Sequence, residues 1–420
     1  MSAVVFRNVR VFPGYGDVLL PVKDVTVTGG SITSITEHDP SPAGHDEATV
    51  IEGQGRTLLP GLIDAHWHAA FTSVTAQVAV LADANYVALV SGEQARATVM
   101  RGFTTVRDCG GPVFGLKQAI DTGVIEGPRI YPAGAMITQT SGHGDFRFPT
   151  EIPSDPCRGL SHIERVGGAA IADGVDAVLK ASREQLMLGA THLKLMAGGG
   201  VSSSYDPLDV TQYTEAELRA GVEAAENWDT YVMVHAYTPR SIQQALRAGV
   251  RSIEHGQLVD EETVELMAEA GAWWCLQPFL DDEDAVPVPP TSRGKFEQMA
   301  KGTDTAYELA IKHGVNLAWG TDTLFSPELA SKQGKQLAKM TRWFSPAEVL
   351  TMATSRNADL LQLSGARNPY PGTLGRVEEG AIADLLLLDG DPLATIDLLA
   401  DPANTLKVIM KDGAVIKNAL

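Results

Sequence analysis

Short apolar stretches alternate with helix-length amphipathic ones eight times in the middle of this chain. The apolar stretches are 58–68, 103–108, 130–137, 192–196, 231–235, 252–255, 273–278 and 316–321, and amphipathic ones include 214–228, 241–248, 261–270, 305–313 and 346–361. This alternation is the sequence form of repeated βα units around a parallel sheet. Eight units over about 300 residues fit a closed barrel better than an open sheet. The fold class expected is α/β, with a TIM-like (β/α)8 barrel over residues 59–365.

The flanks have a different texture. Residues 2–58 read as short strands at 4–11, 25–27 and 31–36, separated by turns rich in Gly, Pro and Asp, and strands return at 375–389 and 408–416. Both chain ends are therefore expected to build one small β-sandwich domain from residues 1–58 and 366–420. Two long loops interrupt the barrel, 138–161 and the acidic, proline-rich 280–296. Loops of this length in a compact domain are usually functional or mobile, and both should lie at the C-terminal rim where barrel active sites sit.

With 420 residues and a net charge of −19, the surface repels nucleic acid and anionic membranes, which leaves small molecules or proteins as partners. Cys109, Cys157 and Cys275 are too few and too far apart for a disulfide framework or a Cys-x-x-Cys metal knot, which favours a reducing, cytoplasmic setting. The chain opens on an alternating strand rather than a basic segment and apolar core, so no signal peptide is visible, although a removed one stays open. No run of about 18 apolar residues suits a membrane span.

Ionisable residues recur where the barrel strands end: His66 and His68 on the first, Lys194 on the fourth, His235 on the fifth, His255 on the sixth and Asp322 after the eighth. Closing a barrel gathers such ends around one axis. His66 and His68 share a strand face with Asp64, which reads as a buried support rather than a further ligand. Imidazole is the commonest metal-ligating side chain. His38, His45, His162, His192 and His313 read instead as polar residues satisfied locally. Lys194 is the informative member, because an ammonium would repel a cation and has no lone pair to give. Either it is a counter-ion in a metal-free site, or it has reacted with carbon dioxide to give an anionic carbamate able to bridge two metals about 3.5–4 Å apart.

The set His66-Trp-His68, Lys194, His235, His255 and Asp322, framed by Gly380-Ala-Ile-Ala-Asp-Leu-Leu-Leu-Leu-Asp389, resembles the binuclear, carboxylated-lysine branch of the amidohydrolase superfamily. The resemblance implies two divalent metal ions, expected to be zinc. It places one on His66, His68 and Asp322 and the other on His235 and His255, with carbamylated Lys194 and a hydroxide between them. It makes Asp322 the proton carrier from the attacking hydroxide to the leaving nitrogen. A mononuclear deaminase of the superfamily usually lacks the bridging lysine, so Lys194 counts against that branch.

Three local stretches, Thr140-Ser-Gly-His143-Gly-Asp-Phe-Arg147, Gly198-Gly-Gly-Val-Ser-Ser-Ser-Tyr205-Asp-Pro207 and His235-Ala-Tyr237-Thr-Pro, are similar to those of metal-dependent dipeptidases and carboxypeptidases, a group that includes prolidase-like and ochratoxin-hydrolysing enzymes. That similarity implies that His143 binds the substrate carboxylate and that Tyr237 helps to polarise the carbonyl. Tyr237 lies two residues beyond His235, so it shares that residue's face if the strand continues, and a phenol there can donate to a developing oxyanion. Arg147, by its charge, and Tyr205 complete the expected substrate contacts. The expected activity is amide hydrolysis of N-acyl amino acids or dipeptides, ochratoxin A among the candidates, by a homo-oligomer. The alternatives are a cyclic-amide hydrolase of the imidazolonepropionase or hydantoinase kind and a non-catalytic binding protein.

Overall fold

The computed structural model describes residues 3–40, 48–153, 159–203 and 205–420. His45, Cys157 and part of the 138–161 loop lie outside them. All eight apolar stretches contribute parallel strands to a barrel. Leu62–Trp67, Phe103–Asp108 and Arg129–Pro132 form one run, and Met136–Thr138, Leu193–Met196, Val232–Ala236, Ser252–His255, Trp273–Leu276 and Asn316–Trp319 continue it in a second sheet edged by Ala169–Ile171. The ring closes where Trp67 bridges Thr323 and the Asp322 amide donates to the His66 carbonyl at 2.8 Å. These strands are covered on both sides, which explains their unbroken apolar runs.

Two expected strands are each divided. The stretch 130–137 is broken at Ala133–Ala135 and changes partners there: Arg129–Pro132 pairs with Phe103–Asp108, and Met136–Thr138 pairs with Leu193–Met196 and Ala169–Ile171. Gly134, at φ 79°, makes the kink, and a Cβ there would come within 2.4 Å of Gln185 Oε1. The stretch 58–68 breaks at Gly61, where a Cβ would stand 2.0 Å from Thr104 Oγ1. Before it, Thr57–Pro60 pairs antiparallel with Leu385–Leu388; after it, Leu62–Trp67 enters the barrel.

Helices Val175–Leu188, Glu215–Glu226, Pro239–Arg247, Glu261–Glu269 and Arg293–His313 pack around the barrel through their apolar faces, as Val178, Leu218, Ile242, Val264 and Tyr307 do by entering one continuous core. Glu215–Glu226 starts where its pattern says it should, with Thr214 and Glu217 forming a reciprocal capping box.

Strands from both chain ends form one eight-stranded sheet. Its order runs Ala414–Asn418, Leu406–Lys411, Leu385–Leu388, Thr57–Pro60, Val4–Val11, Leu20–Thr28, Ser31–Glu37, with Thr49–Glu52 also on Val4–Val11. Ser31 bridges back to Ile382, so the sheet folds over its own core of Phe6, Val25, Ile32, Leu385 and Val408. Cys109 and Cys275 are free and buried. No helix among the described residues is long and apolar enough to cross a membrane.

Candidate active site

The strand ends bring His66, His68, Lys194, His235, His255 and Asp322 around one cavity of about 360 Å³, which His143 and Tyr237 also line. A larger groove of about 890 Å³ runs past Val87, Leu89, Leu116 and Val124, but among the described residues that line it there is no comparable cluster of ligating side chains.

Each of the four strand-end histidines spends one ring nitrogen on a protein acceptor. His66 Nδ1 meets Glu254 Oε2 at 2.8 Å, His68 Nδ1 the Gly110 carbonyl at 2.9 Å, His235 Nε2 the Gly199 carbonyl at 3.1 Å, and His255 Nδ1 Gln277 Oε1 at 2.8 Å. This fixes the tautomers and leaves the second nitrogen of each ring as a lone-pair donor, which is how metal-ligating histidines are normally held. Nε2 of His66 and of His68 lie 3.2 and 3.3 Å from the same oxygen, Asp322 Oδ1. His66 Nε2 is buried and makes no hydrogen bond of its own. Donor atoms of His66, His255 and Asp322 lie within 4.8 Å of one another, and the His235 and His255 rings are 4.4 Å apart. An orphaned buried nitrogen within such a donor set fits a divalent cation.

Electrostatics agree with that fit at His235 and His255 but not at His66, where burial would lower the ring and the neighbouring Cys109 and Asp322 outweigh it, raising it well above the usual histidine range. Burial, reinforced by the neighbouring imidazoles and Lys194, holds His235 and His255 well below the usual histidine range, so both rings are neutral donors at physiological pH. Burial alone would raise Asp322, but His66 and His68 outweigh it and hold this carboxyl well below the usual range. Lys194 is 1% exposed, and among the described residues no carboxylate lies within 4.0 Å of its Nζ. An ammonium in such a place carries the full cost of desolvation without an ion-pair partner.

The backbone is bent to make this arrangement. His255 and Asp322 adopt φ of 76° and 51°, a left-handed conformation that β-carbon-bearing residues rarely hold without a reason in the surrounding structure. Gly320 lets the chain pass the first strand, since a Cβ there would meet the His66 backbone nitrogen at 2.4 Å.

Over the histidines sits a second tier. His143 stacks on His235, with 4.0 Å between centroids and 16° between planes, and its Nδ1 meets Ser203 Oγ at 2.9 Å and Asp206 Oδ2 at 3.4 Å. Asp206 also accepts from the Gly200 amide at 2.8 Å. The Gly198–Gly200 run works as a close-approach segment, because a Cβ on Gly200 would fall 1.9 Å from the His143 ring. The fifth strand ends at Ala236, yet Tyr237 still turns inward, edge-on to His235 and stacked against His255. Burial raises its phenol well above the ordinary value, so it keeps its proton.

Two expected substrate contacts are not brought to this cavity. Arg147 turns its guanidinium onto Asp145, with contacts of 2.8 and 2.6 Å, because the acid two residues away in the same loop is the nearer partner. Tyr205 is 58% exposed and does not line the cavity. Two supporting residues, Glu254 and Gln277, escaped the sequence reading, and Ser203 and Asp206 stood inside the Gly198–Pro207 stretch without a role of their own. Glu254 had the best signal, a carboxylate inside an apolar strand. Asp64 supports the site from below, accepting from Thr321 Oγ1 and Gln333 Nε2, both at 2.9 Å. The histidines read as locally satisfied are so where described: His38 on Asp24, His162 on the Ala82 carbonyl, His192 on the Asp108 carbonyl and His313 on Glu261.

Comparison with known proteins agrees with this geometry. Residues 57–415 match the amidohydrolase family. An ochratoxinase of Aspergillus niger is 31% identical over 377 residues, covering 86% of this chain and 75% of its own. A prolidase crystallised with N-methylphosphonate-L-proline superposes with a TM-score of 0.89 at 35% identity, covering 99% of this chain and 100% of its own. A Xaa-Pro dipeptidase with methionine in its active site superposes with a TM-score of 0.85 at 27% identity, again covering 99% and 100%.

Proposed function

The chain belongs to the amidohydrolase family and is a hydrolase of amide or peptide C–N bonds; from there we propose that it releases the carboxyl-terminal amino acid from N-acyl amino acids or dipeptides, ochratoxin A included among its substrates. The observation that carries this reading is the stacking of His143 on His235. It puts a polar ring, backed by Ser203 and Asp206, beside the proposed metal ligands, at a place where a substrate carboxylate can be held while the adjoining amide faces them.

His66, His68 and Asp322 would hold one divalent cation and His235 and His255 a second, with Lys194, as its carbamate, shared between them. In forming the carbamate, the neutral Lys194 amine would add through Nζ to the carbon of carbon dioxide and release one proton, giving an anion; starting from the ammonium, two protons would leave. Two bound cations supply Lewis-acid polarisation of the scissile carbonyl and acidify a water molecule.

The remaining work falls to the protein. Tyr237, held as a phenol by burial, donates to the carbonyl oxygen as negative charge develops there. Asp322, held as a carboxylate, takes a proton from the attacking water and delivers it to the departing nitrogen. Apolar walls from Met136, Phe146, Phe279 and Phe325 exclude bulk water.

The test is a panel of N-acyl amino acids, dipeptides and ochratoxin A offered to protein carrying about two metals per chain, the occupancy of a two-metal site. Release of free amino acid is expected. No release from any member would end this reading.

A further inference from the structure

Part of the cavity wall is formed by the segment after the seventh barrel strand, and that segment is held from both ends. At one end, Asp284 is 3% exposed and lies 2.9 Å from Lys332 Nζ and 2.5 Å from Lys335 Nζ. Its carbonyl accepts from Gln336 at 3.1 Å, and Asp282 pairs with Lys339 at 2.8 Å. The three lysines are spaced three and four residues apart, so they share one face of the segment 332–339. At the other end, Lys295 Nζ donates to three carbonyls of the loop that orients His143: Gly200 at 3.1 Å, Ser203 at 2.9 Å and Asp206 at 2.7 Å. Between these anchors Val286, Pro287, Val288 and Pro289 line the cavity. Val286 and Val288 pack with Phe279, Phe296, Met299 and Tyr237 in one apolar cluster.

We propose that residues 281–289 are a charge-latched specificity strap: Val286–Pro289 form the wall that receives a bulky apolar side chain of the substrate's carboxyl-terminal residue, and Lys332, Lys335 and Lys339 are positioning residues that hold this wall in place. The side of the substrate follows from His143, so this rests on the reading above in which His143 takes the carboxylate. Both His143 and Tyr237 contact His235, and Tyr237 belongs to the strap's own cluster, so the group next to the carboxylate meets this wall. The charged residues that hold the strap, Asp282, Asp284, Lys332, Lys335 and Lys339, are not among those lining the cavity. Among the described lining residues no carboxylate other than Asp322 would attract a basic side chain.

The experiment compares two substrates with the same acyl group, ending in phenylalanine or in glycine, for wild type, Lys339→Asp, and the reversed pair Asp282→Lys with Lys339→Asp. Amide hydrogen exchange over 281–289 is followed in parallel. In Lys339→Asp the ratio of kcat/KM for phenylalanine over glycine is expected to fall about tenfold, chiefly through KM, the scale of about one methylene lost from an apolar pocket. Exchange over the strap is expected to rise, while the glycine substrate stays within about twofold of wild type. The reversed pair is expected to restore both ratio and protection. An unchanged ratio, an equal loss on both substrates or no restoration by the reversed pair would overturn the proposal. If wild type cleaves neither substrate, the hydrolytic reading fails on its own, and unchanged exchange in Lys339→Asp would then independently overturn the latch.

Discussion

Glu254 Oε2 lies 2.8 Å from His66 Nδ1, while both oxygens of the same carboxylate accept from Arg107 Nη2 at 2.8 and 2.7 Å. Burial would push this acid up, but Arg107 and His66 outweigh it and hold it well below the usual carboxylate range. The carboxylate thus fixes the ring whose other nitrogen is orphaned. Glu254→Gln is expected to weaken metal binding about 10- to 100-fold, as loss of a ligand's supporting partner usually does. It also leaves Arg107 buried without its counter-charge, at a cost of about 3–5 kcal/mol. Metal titration against a competing chelator reads the first effect and denaturant unfolding the second; unchanged affinity would remove Glu254 from the site.

Lys194 is buried among imidazoles, and its worth to the site depends on becoming an anion. Lys194→Ala and Lys194→Arg should therefore both lose metal and activity together, although arginine retains the positive charge. Metal analysis per chain checks this. A Lys194→Arg protein with wild-type occupancy would show that the residue serves only as a cation.

His143 should act on the carboxylate and little else. A hydrogen bond to a charged group contributes about 1.5–3 kcal/mol, which is about 10- to 150-fold in affinity. His143→Ala is expected to raise KM by that factor for acids and to change it little for the corresponding carboxyl-terminal amides. Steady-state kinetics on paired acid and amide substrates decides; equal losses on both would mean that the ring only supports the stack on His235.

Much of this site is legible in the sequence because barrel closure is a strong constraint. Once eight strands are counted, His66, His68, Lys194, His235, His255 and Asp322 are gathered by topology alone. What stayed hidden depends on local backbone or on competition between neighbours. Strict alternation sends Glu254 and His255 to opposite faces, and only the left-handed turn at His255 lets both serve the interior. Arg147 had the right charge in the right loop, but Asp145, two residues away, captured it. The division of the 130–137 strand could have been read from Pro132-Ala-Gly134, since the breaker stands in the sequence and the change of partner follows from it.

Tyr237 has a narrower role. Removing one oxyanion donor typically costs about 10²–10³ in kcat. Tyr237→Phe should show such a loss with KM nearly unchanged. Because burial lifts its phenol well above the ordinary value, Tyr237 does not ionise in the range where the enzyme is assayed. The alkaline limb of the wild-type pH profile therefore belongs to another group, and Tyr237→Phe should keep it. A limb that vanishes in the variant would overturn this assignment.

The strap has an acid limit of its own. Burial disfavours the charge on Asp284, but its hydrogen bonds to Lys335 and Lys332 outweigh that and hold its carboxyl below the ordinary value. A carboxylate with a lowered folded value stabilises the fold fully above its unfolded pKa of about 3.9 and loses that contribution as pH falls through the folded value. Strap protection should therefore be flat from neutral pH to about pH 5 and disappear only on stronger acidification. In Asp284→Asn it should be reduced at every pH, because two ammonium groups lose their partner. Those lysines are partly exposed, at 29% and 44%, so solvent screens the pair and the loss of protection should be small. Hydrogen exchange over 281–289 between pH 3 and 7 tests both statements, and protection that fades already near pH 6 would remove Asp284 from the latch.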